Sequence, residues 1–244
     1  MLNKNSNGYI LIYTAILTVF CAAALYITAQ VLKPAQDENI KLAQKESILA
    51  TVLKIDDTWD KNKINKVYDE RVKGMVLDYN GNVVAGKKVE DINVEAECKK
   101  PLKERMLPLY EIASENDKTK VEYYVIATSG KGLWDKISSF MSIKADLETV
   151  NGIVFDHKAE TPGLGARIKD DEAVYSRYAG KSIYNEGKIT PIKMMKGEGN
   201  DYSNNKHAVD GMSGATKTAE GVNDMIAEYL TAYDNYFKNK KSKN

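Results

Sequence analysis

Cysteine is nearly missing: Cys21 and Cys98 are the only two, and Cys21 sits in an apolar run, so neither a disulfide framework nor a four-cysteine metal site can be built. Histidine is equally scarce. His157 and His207 occur without HExxH, CxxC or paired spacing, which argues against a dedicated zinc or iron site. Any redox chemistry must then reside on an organic cofactor. An excess of one charge is also absent, with 35 Lys and Arg against 34 Asp and Glu, so nothing suits the chain to follow a nucleic-acid backbone. No repeat of fixed period and no long low-complexity tract occurs. The 244 residues suit one domain of ordinary size plus an anchor or arm, and not two full domains.

A long uncharged run is present. From Ser6 to Leu32 no residue is charged, and the stretch from Tyr9 is mostly Ile, Leu, Val, Ala and aromatic. A bilayer core of about 30 Å needs roughly 20 such residues in a helix. Tyr9, Tyr13 and Tyr26 fall near its ends, where amphipathic rings favour the interface. A cleaved signal peptide is the competing reading, but its apolar core spans only about 7–15 residues. The sequence predicts an N-terminal tail over 1–7 and a transmembrane helix over 8–32. Lys4 on one side and Lys33, Asp37, Glu38, Lys41 and Lys45 on the other leave the orientation undecided by charge.

Beyond Pro34, Ile40, Ala43, Leu49, Val52 and Leu53 recur at mostly three- and four-residue steps among charges, which predicts an amphipathic stalk helix over 33–60. A further helical pattern, Ile64, Val67, Tyr68 and Val72, leads into GMVLDYNGNVVAG. Its Asn80-Gly81 between apolar runs predicts a hairpin. Pro108 to Ile112, Val121 to Ala127 and Val150 to Phe155 read as strands. Val222, Met225, Ile226, Tyr229, Leu230 and Tyr233 share one face of a helix expected over Lys217 to Phe237. The architecture expected is α+β: one transmembrane helix, then a mixed, mainly antiparallel sheet with flanking helices over 61–238, and a disordered polar tail over 239–244.

The chemistry-bearing stretch is VDGMSGATKTAEGV, residues 209 to 222, where turn-forming Asp210, Gly211, Ser213 and Gly214 meet the start of the last helix. A helix start offers unpaired N–H groups and the positive end of the macrodipole, so a phosphate on Thr216 would be stabilised there. Ser213, Thr216 or Thr218 could equally be a plain N-cap. Ser213, His207 and Asp210 also contain the residue types of a hydrolase, although no nucleophile-elbow pattern accompanies them.

DGMSGAT resembles the flavinylation signature of FMN-binding domains at every position, ETPGLGAR over Glu160 to Arg167 resembles the glycine loop of the same families, and GKGLWDKI over Gly130 to Ile137 is similar to their Gly-Leu-Trp segment. The N-terminal NSNGYILIYTAILTV and KPAQDENIKLAQKESIL further resemble the C-subunit family of the Na+-translocating NADH:quinone oxidoreductase. A sister family, the G-subunits of the Rnf electron-transport complex, shares the flavin motifs. The resemblance implies FMN joined through its phosphate to Thr216, with Ser213, Gly214 and Ala215 shaping the phosphate turn. Glu160, Thr161, Leu164 and Trp134 would border the ring, and Asp210 would serve recognition by the modifying enzyme. Without the resemblance, Trp134 could be an ordinary core residue, Glu160 a solvated charge and Pro162, Gly163 and Gly165 only a turn.

Nothing near Thr216 would activate its hydroxyl, and the resemblance implies that a separate Mg-dependent flavin transferase using FAD makes the attachment. By the same likeness the chain is one electron-transfer subunit of a complex in a bacterial inner membrane, with other membrane subunits as partners and the FMN domain on the periplasmic side. Arg167 departs from the relatives, which often carry an acid there, and Lys217 fills a variable position. A membrane-tethered binding module without flavin is the alternative of a different class.

Overall fold

The computed structural model describes residues 6–242, so most of the expected tail over 1–7 and the last two residues of the tail over 239–244 lie outside the described residues. Two compact units are present, residues 1–44 and 45–244.

The first unit holds most of helix α1 (Asn7–Ala50), which is long and apolar enough over its first part to cross a membrane. At about 1.5 Å per residue its 44 residues extend about 66 Å. Leu11, Phe20, Leu25 and Val31 are exposed along it, a contiguous apolar surface that water does not favour. The hydroxyls of Thr14, Thr18 and Thr28 donate to the carbonyls of Ile10, Thr14 and Ala24 at 2.8, 2.8 and 2.9 Å, so they need no water. The helix runs on through Pro34 without a break between span and stalk.

In the second unit α1 ends ten residues before the expected Asp60. The Thr51 hydroxyl turns back onto the Ile48 carbonyl, and the Thr51 carbonyl accepts from Ser142 Oγ and Asn151 Nδ2, both at 2.9 Å. Ile48 and Leu49 are buried, so the compact domain begins near Lys45 and not at residue 61. Helix α2 (Lys61–Arg71), capped by Asp60, passes directly into strand β1 (Val72–Leu77). After the short helix α3 (Val94–Glu97) come β2 (Leu107–Ala113), β3 (Val121–Lys131), β4 (Lys136–Lys144) and β5 (Val150–His157). The small elements α4 (Arg167–Asp170), α5 (Glu172–Tyr175), β6 (Tyr184–Asn185), β7 (Lys188–Ile189), β8 (Lys193–Met194) and β9 (Ala208–Val209) precede the long α6 (Thr216–Lys241).

Strands β1 to β5 lie in chain order in one sheet in which every pair is antiparallel, and the only parallel pair among the described residues is the two-residue β8–β9. The sheet carries apolar residues on both faces. Leu107, Leu109, Tyr124, Ile126, Met141 and Ile143 join the core that contains α6, whereas Tyr110, Ile112, Val125 and Ala127 pack with Ile48, Val76 and Val89. Alternation of period two sorts the two sets. The expected hairpin turn forms with Gly81 at φ 81°, but its second arm is a single bridge at Val83, and β1 pairs along its length with β2.

Helix α6 buries Val222, Met225, Ile226, Tyr229, Leu230, Tyr233 and Phe237. It continues through the expected tail to Lys241, because Lys238 and Lys240 pair with Asp234 and Glu111 at 2.6 and 3.2 Å and Lys241 faces Glu148 at 3.7 Å. At its other end Gly221 lies against the Lys131 carbonyl, so closely that a Cβ would collide with backbone. That close approach brings the first turn of α6 to the loop that follows β3. Alanine in a helix interior ordinarily gains about 1 kcal/mol over glycine. Gly221→Ala is nonetheless expected to destabilise the chain, by about 1–3 kcal/mol, because the overlap is with a carbonyl and not a flexible side chain. Urea denaturation reads the sign.

Candidate functional site

Thr216 is the first residue of α6, and the N-cap is Ala215, which provides no side-chain hydrogen bond. The plain N-cap reading of Ser213, Thr216 or Thr218 therefore does not describe this helix. Its leading N–H groups remain available to an anion. Gly214, at φ 75°, lets the chain turn into the helix, and a Cβ there would press on Leu164 at 2.8 Å.

A cleft of about 200 Å³ opens over this turn, lined by Leu133, Glu160, Thr161, Leu164, Gly165 and residues 214–218. All three motifs meet at its walls. A larger cleft of about 420 Å³ lies where Met75, Gly81, Glu111, Tyr236 and Lys240 come together, and it holds none of the motif residues. The chemistry of the small cleft makes it the candidate site.

Glu160 joins the motifs from beneath. Its carboxylate is buried, with Oε1 accepting the Trp134 N–H at 3.1 Å and Oε2 accepting the Thr218 hydroxyl at 2.5 Å. Its own N–H donates to His157 Nδ1 at 3.3 Å. A Cβ at Gly165 would collide with both this carboxylate and Thr218. Glu160 is thus neither a solvated charge nor an open surface group; it ties the glycine loop to the Trp134 loop and to the first turn of α6.

Trp134 is 66% exposed, so it is not a core tryptophan, and its Nε1–H donates to Thr161 Oγ1 at 3.1 Å. Leu133 and Leu164 are exposed as well. Large apolar side chains left in water beside a polar turn form a surface suited to a flat apolar ring.

Ser213 is exposed and its N–H donates to Glu198 Oε2 at 3.0 Å. Glu198 also accepts from Arg167 Nη1 and Nη2 at 2.9 and 2.6 Å, with Arg177 Nη2 at 3.5 Å. The Arg167 guanidinium first, then the Ser213 N–H, pull the Glu198 carboxyl down to about 2. Arg167, held also by Asp171, is shifted upward in return. Asp210 accepts from the Gly199 N–H at 2.7 Å and from Asn200 Nδ2 at 3.2 Å; burial pushes its carboxyl up, and these hydrogen bonds outweigh it to leave it lowered. His207 Nδ1 faces the Ser182 carbonyl at 2.9 Å, so the hydrolase arrangement of Ser213, His207 and Asp210 does not form. Lys217 pairs with Glu220 at 2.7 Å, and Cys98 Sγ lies 3.2 Å from the Glu95 carbonyl.

The sequence alone singles out neither Leu133 nor Glu198 for the site, and offers Thr218 only as a possible N-cap. Thr218 and Leu133 lie within motifs already singled out, whereas no sequence signal marks Glu198.

The FMN-binding domain family matches residues 132–231, a span that contains the cleft and all the residues around it. Over nearly its whole length the chain resembles the Na(+)-translocating NADH-quinone reductase C-subunit of Pasteurella multocida, at 27% identity over 93% of this chain and 91% of the relative. The like-named protein of Vibrio alginolyticus is 37% identical over 43% of this chain and 40% of its own. Among solved structures, that of the Na(+)-translocating NADH-quinone reductase C-subunit from Parabacteroides distasonis aligns with a TM-score of 0.72 at 24% identity, covering 84% of this chain and 96% of the other. Shewanella oneidensis NqrC aligns with a TM-score of 0.70 at 21% identity, covering 85% and 99%. These two establish the fold.

Two outcomes are expected at the site. Thr218→Val should cost about 1–3 kcal/mol by leaving a buried Glu160 oxygen without its donor, while Thr231→Val, whose exposed hydroxyl only reaches the Ala227 carbonyl, should cost under about 0.5 kcal/mol in the same urea titration. Because the folded Glu198 carboxyl sits at about 2, below its ordinary 4.5, its stabilisation is complete above the ordinary value and is lost as pH falls toward 2. The Ser213 amide resonance should hold constant down to about pH 4 and move only in more acid solution.

Proposed function

We propose that this chain is the membrane-anchored electron-transfer subunit of NqrC type in a Na+-translocating NADH:quinone reductase, with FMN esterified through its phosphate to Thr216. The observation that carries the reading is the placement of Thr216 at an uncapped helix start in the cleft where the three flavin-like motifs converge. The C-subunit name shared by the relatives favours this complex over the Rnf carrier.

The residues present fit such a group. The open N–H groups at the start of α6 suit a phosphodiester, Gly214 leaves room beside it, and exposed Leu133, Trp134 and Leu164 provide apolar surface for the ring. Bound flavin would supply the electron chemistry, taking up and releasing electrons singly or in pairs. The protein's own part is to hold, orient and tune. Glu160 fixes the Trp134 loop against α6, and Thr161 anchors the indole.

In the attachment reaction Thr216 Oγ1 attacks the riboflavin-side phosphorus of FAD, the pyrophosphate bond breaks, AMP leaves and the hydroxyl proton is released. Among the described residues no base is hydrogen-bonded to the Thr216 hydroxyl to activate it, which favours attachment by a separate Mg-dependent flavin transferase. Helix α1 anchors the chain in the lipid of a bacterial inner membrane beside the complex's other membrane subunits, with the flavin domain on the periplasmic side. Its span contributes no Asp, Glu, Lys, Arg or His to an ion path.

Co-expression with a flavin transferase should yield a chain heavier by one FMN and fluorescent in a denaturing gel, and Thr216→Ala should abolish both signals. A wild-type chain of unmodified mass would leave only a tethered binding module.

A further inference from the structure

We propose that Glu198, which lies outside every flavin motif, is a positioning residue for flavin attachment: with Asp210 it forms a reciprocal staple that shapes the turn carrying Thr216. The inference rests on Thr216 being the flavin acceptor.

Two segments exchange carboxylates. Glu198, from the loop 195–200, accepts the Ser213 N–H of the acceptor turn, and Asp210, from that turn, accepts the Gly199 N–H and the Asn200 amide of the loop. Between them the backbones touch, because a Cβ at Gly211 would collide with the Met195 carbonyl and reach the Gly197 carbonyl at 2.5 Å. Arg177 fastens the same turn by donating to the Asp210 and Gly211 carbonyls at 3.1 and 2.6 Å while facing Glu198 at 3.5 Å. Arg167 carries the link into the glycine loop, since its guanidinium forks onto Glu198.

Both oxygens of Asp210 are therefore engaged within the chain. A transferase that read this carboxylate directly would share it with two internal hydrogen bonds. Its contribution to attachment runs instead through the shape of the turn, and Glu198 contributes in the same way. Phosphoryl transfer to a weakly nucleophilic hydroxyl depends on orientation, so a turn freed from its staple presents Thr216 in productive geometry less often.

The test is the initial rate of FMN attachment, read by intact mass, when the full chain in detergent is given flavin transferase, FAD and Mg2+. Glu198→Ala and Asp210→Asn should each slow attachment about tenfold per folded molecule, with the folded fraction read from thermal melts. Glu198→Gln should fall between, since its amide oxygen still accepts from Ser213 but draws the two arginines less strongly. The double variant Glu198→Ala/Asp210→Asn should be no slower than the slower single one, as expected of two halves of one device. Glu111→Gln, which weakens contacts to Tyr236 and Lys240 far along α6, should attach flavin at the wild-type rate. If Glu198→Ala melts below the assay temperature, Glu198→Gln with Asp210→Asn closes the same cycle. Losses that multiply in the double variant, or a wild-type rate in the Glu198 variants, would overturn the staple while leaving Thr216 as acceptor. An unlabelled wild-type chain would overturn both.

Discussion

A buried carboxylate without an ion-pair partner among the described residues is tolerable only if hydrogen bonds take over from water, and Glu160 meets that condition with donors from two other segments. Leaving such a buried group without hydrogen-bond donors costs more than any one surface contact is worth, and the Trp134 N–H and the Thr218 hydroxyl supply them. Once they do, the loop after β3, the glycine loop and the first turn of α6 have a single mutual arrangement. Gly221 against Lys131 and Gly165 against the carboxylate allow that arrangement sterically. The cleft at Thr216 is its by-product.

Patterns of regular period were legible in the sequence. The apolar face of α6 is buried residue for residue as its spacing requires, and the runs at Pro108, Val121 and Val150 lie in β2, β3 and β5. Strand β4 was not foreseen, because Ser138, Ser139 and Ser142 interrupt its apolar positions. Ser142 faces the Thr51 carbonyl, a contact 91 residues away in the chain, and no local rule anticipates it. The end of α1 and the helical continuation to Lys241 failed for a related reason: distant partners, Asn151 for Thr51 and Glu111 for Lys240, settle them.

At the site the same division holds. Motif residues were named by resemblance, yet their physical roles came only from the fold. Glu160, expected to border the ring, lines the cleft and also ties three segments together, and Asp210, expected to serve recognition by a modifying enzyme, also accepts from Gly199 and Asn200. Glu198 carries no local signature at all, since its importance derives from Arg167 and Ser213, 31 and 15 residues distant.

The shallowness of the cleft gives the proposed ester its physical reason. Pockets that retain small molecules reversibly have volumes of about 300–1,000 Å³, and this one encloses about 200 Å³ with its largest apolar side chains open to water. Lys217, the cation next to Thr216, is engaged by Glu220. A helix N-terminus stabilises an anion by about 0.3–1 kcal/mol at an exposed site, whereas micromolar retention requires about 8 kcal/mol. Non-covalent contacts of this kind fall short by most of that sum. A covalent bond removes the requirement: retention no longer depends on enclosure, and the ring can remain at the surface, where electrons must arrive and leave.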